Sequence, residues 1–198
     1  MRKLPSEYEN MFDNTFIDMA DKLSPMFKNI GMTPNKITTL SLIVHLVGIY
    51  YLMLNKTYVA ATLFVMAYFF DCMDGHFARK YKMTSKFGDY FDHISDIIKI
   101  ILLYATLYNI DKNKFSKMFP FVIFLSVLIG VHMGCQEIYH EKKTEDTSMH
   151  SESLHLTKSM CPADKSNVEE YLPFTKIFGC GTYNIAIAFL IIYFYDKN

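Results

Sequence analysis

Long apolar stretches, separated by short polar segments, occupy most of the chain after residue 36. A helix that crosses about 30 Å of hydrocarbon needs roughly 20 mainly apolar residues. Several stretches approach this length, and the second and third carry aspartates at one end. The pattern therefore predicts an all-α protein, a polytopic transmembrane helical bundle. Its predicted spans are residues 37–54, 58–70, 94–110, 118–139 and 177–195.

The segment before the first span has a different pattern. Apolar residues from Tyr8 to Ile30 recur every three or four positions, with charged residues between them. This spacing predicts an amphipathic helix, interrupted at Pro25 because proline removes a helical hydrogen bond. Such a helix either lies in the membrane interface or packs against another part of the chain. We therefore expect an N-terminal amphipathic interfacial segment, residues 1–33, and a transmembrane domain, residues 34–198.

The composition supports membrane insertion, since 51% of the 198 residues are hydrophobic and only 20% are charged. Because 20 basic residues balance 20 acidic ones, the chain has no net field that would attract nucleic acid, and the lipid bilayer is the expected partner. The four cysteines form no CxxC pair. Their spacing indicates neither a disulfide framework nor a zinc ribbon.

The distribution of basic residues predicts the orientation of the spans. With a cytosolic N-terminus, 14 Lys and Arg residues fall in cytosolic segments and 5 fall on the other side. Basic residues concentrate in cytosolic loops of membrane proteins. The turn between the second and third spans is therefore expected in the cytosol.

Four aspartates flank that turn. Asp71 and Asp74 lie three residues apart on one face of a helix, and Asp92 and Asp96 lie four residues apart on one face of the next. A carboxylate at membrane depth costs about 2.5 to 3.5 kcal/mol, so four of them need compensating charge. Clustered carboxylates are typical ligands of Mg²⁺ or Mn²⁺. Their spacing is compatible with two such ions that clamp a phosphate.

Other residues in the same region also suggest chemistry. Gly75 and Gly88 lack side chains, which lets a nucleotide or a neighbouring backbone approach closely. Lys99 follows Asp96 by three positions on the same helix face. It either pairs with that aspartate or meets an anionic substrate, and structural pairing is favoured.

These residues resemble the signature of the CDP-alcohol phosphotransferase (CDP-alcohol phosphatidyltransferase) family, D-x2-D-G-x2-A-R-x8-G-x3-D-x3-D. A chance match in a chain of this length is on the order of 10⁻⁷. Family members usually have six spans, so we expect five to six, with any sixth in the polar stretch before Pro173. Every fixed position of the signature matches: Asp71, Asp74, Gly75, Ala78, Arg79, Gly88, Asp92 and Asp96.

The resemblance implies a phospholipid-synthesising enzyme in which an alcohol hydroxyl attacks the diphosphate of a CDP-linked donor and CMP leaves. It implies that two divalent ions are held by Asp71, Asp74 and Asp92. Asp96 would contribute to the second ion and act as the general base. The CDP pocket would be formed by Gly75, Ala78, Arg79 and Gly88, with Asn35 and Thr38 near the nucleotide. The resemblance also implies a homodimer.

Cues to the acceptor conflict. His76 after Gly75, together with Ser151-Glu152-Ser153, resembles phosphatidylinositol synthases, whereas Phe91-Asp92-His93 resembles choline and ethanolamine phosphotransferases. His76 and His93 either contact the acceptor or lie at the membrane interface, and the second alternative is favoured.

We expect transfer of a phosphatidyl group from CDP-diacylglycerol to a polar alcohol, with an inositol-type acceptor slightly favoured. The alternative within the family is transfer from CDP-choline or CDP-ethanolamine to diacylglycerol. Intramembrane carboxylates are also typical of cation or proton transporters. A catalytically silent membrane scaffold is a further alternative.

Overall fold

A computed structural model describes residues 4–143 and 155–196, which form helices and turns and no strand. Within this part of the chain, five segments are long and apolar enough to cross a membrane. The predicted bundle of spans is confirmed, and no sixth span lies in the described region. The helices are α1 (Met11–Asn29), α2 (Pro34–Met53), α3 (Thr57–Lys80), α4 (Lys86–Ile110), α5 (Lys112–Lys143), α6 (His155–Lys158), α7 (Val168–Thr175) and α8 (Cys180–Tyr195).

The chain divides into two compact units. Among the described residues, the first unit contains residues 15–120 and 184–196, and the second contains residues 4–14 and 121–183. Helices α2, α3 and α4 lie wholly in the first unit. This unit therefore carries every residue of the signature.

In the first unit, α2 packs against both α3 and α4. Side-chain caps begin α2 and α4: the Thr33 hydroxyl accepts from the Lys36 backbone N–H at 3.4 Å, and the Ser85 hydroxyl accepts from that of Gly88 at 3.0 Å. Such caps satisfy donors that the first helical turn leaves unpaired. A short capped turn therefore joins the two helices that carry the aspartates.

Helix α1 continues through Pro25 to Asn29, so the predicted interruption is wrong. A proline inside a helix leaves the carbonyl of the residue four positions earlier without its donor, and here that residue is Asp21. The Nζ of Lys80 donates to the Asp21 carbonyl at 2.8 Å and to its carboxylate at 2.8 Å. A side chain of α3 thus replaces the hydrogen bond that proline removes.

An apolar cluster holds α1 against α2 and α3. Its fully buried members are Ala20, Ile37, Met73 and Phe77. Met19 and Met26 of α1 remain exposed. The helix predicted before residue 34 is therefore confirmed, and its place in the membrane interface stays a prediction.

The second unit contains a disulfide between Cys135 and Cys161, with Cα atoms 5.1 Å apart. No sequence pattern indicates this disulfide, because two cysteines separated by 26 residues have no diagnostic spacing. Cys135 belongs to a buried cluster that includes Val168 and Leu172, and Cys161 packs against this cluster. Asn10 also ties the N-terminal segment to this unit, since its Nδ2 donates to the Lys176 carbonyl at 2.7 Å.

We expect the Asp21 carboxylate to stabilise the contact between α1 and α3. Hydrogen bonds from Lys80 and His76 lower the pKa of Asp21 below its ordinary value of 3.8. The stabilisation is therefore present above that value and is lost as the pH falls through the lowered pKa. Because the Asp21 side chain is 55% exposed, its coupling with Lys80 should be below about 1 kcal/mol.

A double-mutant cycle with Asp21→Asn and Lys80→Met measures this coupling. Asp21→Asn leaves the backbone carbonyl of residue 21 in place, so the cycle isolates the contribution of the carboxylate. The readout is amide exchange of residues 15–29 in detergent at about pH 7 and about pH 2. A coupling of equal size at both pH values would show that the carboxylate charge is not its source.

Candidate active site

Three of the four signature aspartates converge in the first unit. Asp71 and Asp74 on α3 and Asp92 on α4 each offer a carboxylate oxygen, and these oxygens lie within 4.8 Å of one another. Asp71 and Asp74 share a helix face because they are almost one turn apart. The short turn after α3 returns the chain, so that α4 presents Asp92 to both. We call these three residues the carboxylate cluster.

The carboxylate cluster fits a divalent cation. Asp74 is 4% exposed, and its Oδ2 accepts a hydrogen bond from the Thr38 hydroxyl at 2.5 Å. The buried Oδ1 of Asp92 has no hydrogen-bond partner within the described part of the chain. Hard carboxylate oxygens that converge in this way are typical ligands of Mg²⁺ and Mn²⁺.

The fourth aspartate, Asp96, lies outside the carboxylate cluster and beside Lys99. The Nζ of Lys99 is 2.7 Å from the Oδ1 of Asp96 and 2.5 Å from the Oδ1 of Asp71. The predicted pairing of Lys99 with Asp96 is therefore confirmed. Lys99 also links Asp96 to the carboxylate cluster through Asp71.

A cavity of about 210 Å³ opens beside Asp74 and Asp92. Asp71 and Asp96 lie roughly one helical turn further from the α3–α4 turn, about 4.5 and 6 Å along their helices. Asp74 and Asp92 therefore line the cavity, and Asp71 and Asp96 lie beyond its lining. Its lining includes every residue predicted to contact the nucleotide: Asn35, Thr38, Gly75, Ala78, Arg79 and Gly88.

The two signature glycines lie where side chains crowd the cavity. A Cβ atom added to Gly88 would lie 3.1 Å from the Asn35 Oδ1 and 3.1 Å from the Ser85 Oγ. A Cβ added to Gly75 would lie 3.2 Å from an Arg79 guanidinium nitrogen. Glycine therefore leaves room for these polar side chains beside the cavity, as expected for close approach.

The cavity lining also includes four residues that no sequence motif indicates. Met83, Thr84 and Ser85 belong to the eight unspecified positions of the signature, and Asp89 follows Gly88 directly. The sequence indicates them only indirectly, because a short turn that joins two helices carrying site residues lies close to that site.

The two histidines beside the signature have different surroundings. His93 lines the cavity, and its place at the membrane interface stays a prediction. His76 instead contacts α1, with its Nε2 2.8 Å from the Asp21 carboxylate. Ser151-Glu152-Ser153, the other cue to the acceptor, lies outside the described residues.

Residues 31–151 match the CDP-alcohol phosphatidyltransferase family. The match covers more than half of the chain, which therefore belongs to this family of phosphotransferase enzymes. The family is in general dependent on divalent metals. The chain is also 28% identical over 76 residues to the archaetidylinositol phosphate synthase of Pyrococcus horikoshii. That match covers 38% of this chain and 40% of the relative.

We expect Thr38 to support metal binding through Asp74. Thr38→Val keeps the shape of the side chain but removes the hydroxyl that orients the carboxylate, and loss of such a partner typically weakens metal affinity about 10- to 100-fold. Titration of the purified protein with Mn²⁺, followed by electron paramagnetic resonance, measures the affinity.

Thr39→Val is the matched control. Thr39 is the next residue of α2, is exposed, and donates its hydroxyl hydrogen to the Asn35 carbonyl at 2.8 Å. The control should bind Mn²⁺ as the wild type does. Equal affinities of the two variants would contradict a role of the Thr38 hydroxyl at the metal site.

Proposed function

We propose that this enzyme transfers a phosphatidyl group from CDP-diacylglycerol to a polar alcohol of the inositol type and releases CMP. The observation that carries the proposal is the cavity, which joins all six predicted nucleotide-binding residues to Asp74 and Asp92 of the carboxylate cluster. The name of the Pyrococcus relative, archaetidylinositol phosphate synthase, favours the inositol-type acceptor. We further propose that residues 34–198 form the catalytic domain and residues 1–33 an interfacial segment.

The proposed reaction requires a deprotonated acceptor. Asp96 is the proposed general base, because its carboxylate is 42% exposed and adjoins Asp71 through Lys99. It takes the proton of the acceptor hydroxyl, whose oxygen attacks the phosphorus distal to cytidine. The bond between that phosphorus and the CMP oxygen breaks, and CMP leaves with the electron pair.

The remaining residues bind and orient the donor. Arg79 lines the cavity and is proposed to pair with the diphosphate, since a guanidinium binds phosphate oxygens well. Gly75 and Gly88 leave the space that the nucleotide needs. Two Mg²⁺ or Mn²⁺ ions, held by Asp71, Asp74 and Asp92 with a contribution from Asp96, would offset negative charge on the diphosphate and on the departing CMP.

A second candidate reaction uses CDP-choline or CDP-ethanolamine with diacylglycerol. Its support is His93, which follows Asp92 and lines the cavity. Family membership favours either transferase over a cation or proton transporter. A catalytically silent scaffold is disfavoured, because all four aspartates are present and three of them converge.

The test is CMP release by the purified protein in detergent with Mg²⁺ or Mn²⁺. One arm offers CDP-diacylglycerol with inositol, inositol phosphate, glycerol phosphate or serine, and the other offers CDP-choline or CDP-ethanolamine with diacylglycerol. We expect release that depends on an inositol-type alcohol and stops in excess chelator. Release only in the second arm would replace the proposed reaction with the second candidate.

Asp96→Asn tests the general base within the same assay. The substitution keeps the side-chain size but removes the proton acceptor, so turnover should be lost while binding of the CDP-linked donor persists. Asp18→Asn is the control, because Asp18 is exposed on α1 and belongs neither to the carboxylate cluster nor to the cavity lining. Turnover of Asp96→Asn at the wild-type rate would exclude Asp96 as the base.

We also propose that the site faces the cytosol and that the enzyme is a homodimer. The support for the orientation is the bias of 14 basic residues against 5. The support for the dimer is the family resemblance.

Single cysteines test the orientation. In a background without Cys72 and Cys180, which are not disulfide-bonded, an impermeant maleimide should label Lys86→Cys, at the start of α4, from the cytosolic side only. Lys56→Cys, in the turn between α2 and α3, should react only from the opposite side. The reverse pattern would invert the proposed topology.

A further inference from the structure

Lys99 is held by three helices at once. A lysine ammonium has three N–H donors, and here each has one acceptor. The acceptors are the Asp71 Oδ1 of α3 at 2.5 Å, the Asp96 Oδ1 of α4 at 2.7 Å and the Ser41 Oγ of α2 at 3.3 Å. Every donor of the ammonium is therefore used within the first unit.

Ser41 acts only as a hydrogen-bond acceptor toward Lys99. It is fully buried, and its hydroxyl donates its single hydrogen to the Ala67 carbonyl of α3 at 2.8 Å. Its oxygen therefore faces Lys99 as an acceptor. Because Ser41 is tied to the α3 backbone, the position of the ammonium depends on the packing of α2 against α3.

Asp96 differs from the other aspartates in its surroundings. Asp71 belongs to the carboxylate cluster and also contacts Lys99, whereas Asp96 lies outside that cluster. The Lys99 side chain is 10% exposed and that of Asp96 is 42% exposed. The ammonium therefore fixes the carboxylate from its buried side and leaves it accessible to an acceptor.

We infer that Lys99 is a positioning residue, which holds the Asp96 carboxylate next to Asp71 and outside the carboxylate cluster. This inference rests on the proposed function of Asp96 as the base. A carboxylate that binds a metal with both oxygens no longer accepts a proton readily. Because Lys99 pairs with the Oδ1 of Asp96, the second oxygen stays available for the proposed contribution to an ion and for the acceptor hydroxyl.

The same geometry disfavours a role for Lys99 in substrate binding. An anionic substrate would need a free donor, and all three donors of the buried ammonium already have acceptors. Exchange of these partners would leave an unpaired carboxylate at low exposure, which is costly. Lys99 therefore acts through Asp96 and Asp71.

Lys99→Met tests the inference with two measurements. The first is the kinetics of CMP release: kcat should fall about 100-fold, the typical effect of a misplaced catalytic group, while KM for the donor stays near the wild-type value. The second is Mn²⁺ binding, followed by electron paramagnetic resonance. Affinity should be tighter than in the wild type, because Asp71 and Asp96 lose a competing cation.

Two results would overturn the inference. One is a wild-type kcat in Lys99→Met. The other is unchanged or weaker Mn²⁺ binding, which would show that Lys99 does not compete for these carboxylates. Ser41→Ala is a milder variant that leaves the charges in place, and it should lower kcat in the same direction by a smaller factor.

Lys56→Met is the control for general effects of removing a lysine, since Lys56 is exposed at the opposite end of α3. It should match the wild type in both measurements. If the wild type releases no CMP with any substrate pair, the proposed function fails, and the Mn²⁺ titration alone then decides whether Lys99 competes for these carboxylates. Unchanged or weaker Mn²⁺ binding by Lys99→Met in that case would overturn the inference as well.

Discussion

Mutual repulsion among four carboxylates at one end of a membrane bundle is the constraint on which the rest of the structure depends. Charge at membrane depth is costly unless it is paired. Lys99 is the buried cation that offsets two of these carboxylates, with its ammonium between Asp71 and Asp96. The Thr38 hydroxyl supports Asp74. The free oxygen of Asp92 completes an arrangement that fits a divalent ion.

Helix α2 provides the polar groups that make this arrangement possible. It packs against both α3 and α4, and three of its residues at intervals of three positions face the site: Asn35, Thr38 and Ser41. The first two line the cavity, and the third contacts Lys99. A helix without aspartates thus determines how the aspartates of two other helices are oriented.

Local signals failed where a distant partner replaced a missing interaction. Pro25 interrupts an isolated helix because it removes a hydrogen bond, but Lys80, which lies 59 residues after Asp21, supplies the donor. The pairing of Cys135 with Cys161 also has no local sequence signal, because it depends on how the second unit folds. His93 lines the cavity, which its neighbours in sequence do not indicate.

Much about this protein followed from the sequence alone. Hydropathy determined the five spans, because the thickness of the bilayer sets a minimum length of apolar helix. Helical periodicity placed the aspartates of each span on one face, and the spacing of eight fixed residues identified the family. The tertiary structure decided which carboxylates converge. Asp96 lies about one helical turn from Asp92 and so shares its helix face, but it lies outside the carboxylate cluster and contacts Lys99. Helix packing supplied that distinction, because the acceptors of the Lys99 ammonium come from three helices that only folding brings together.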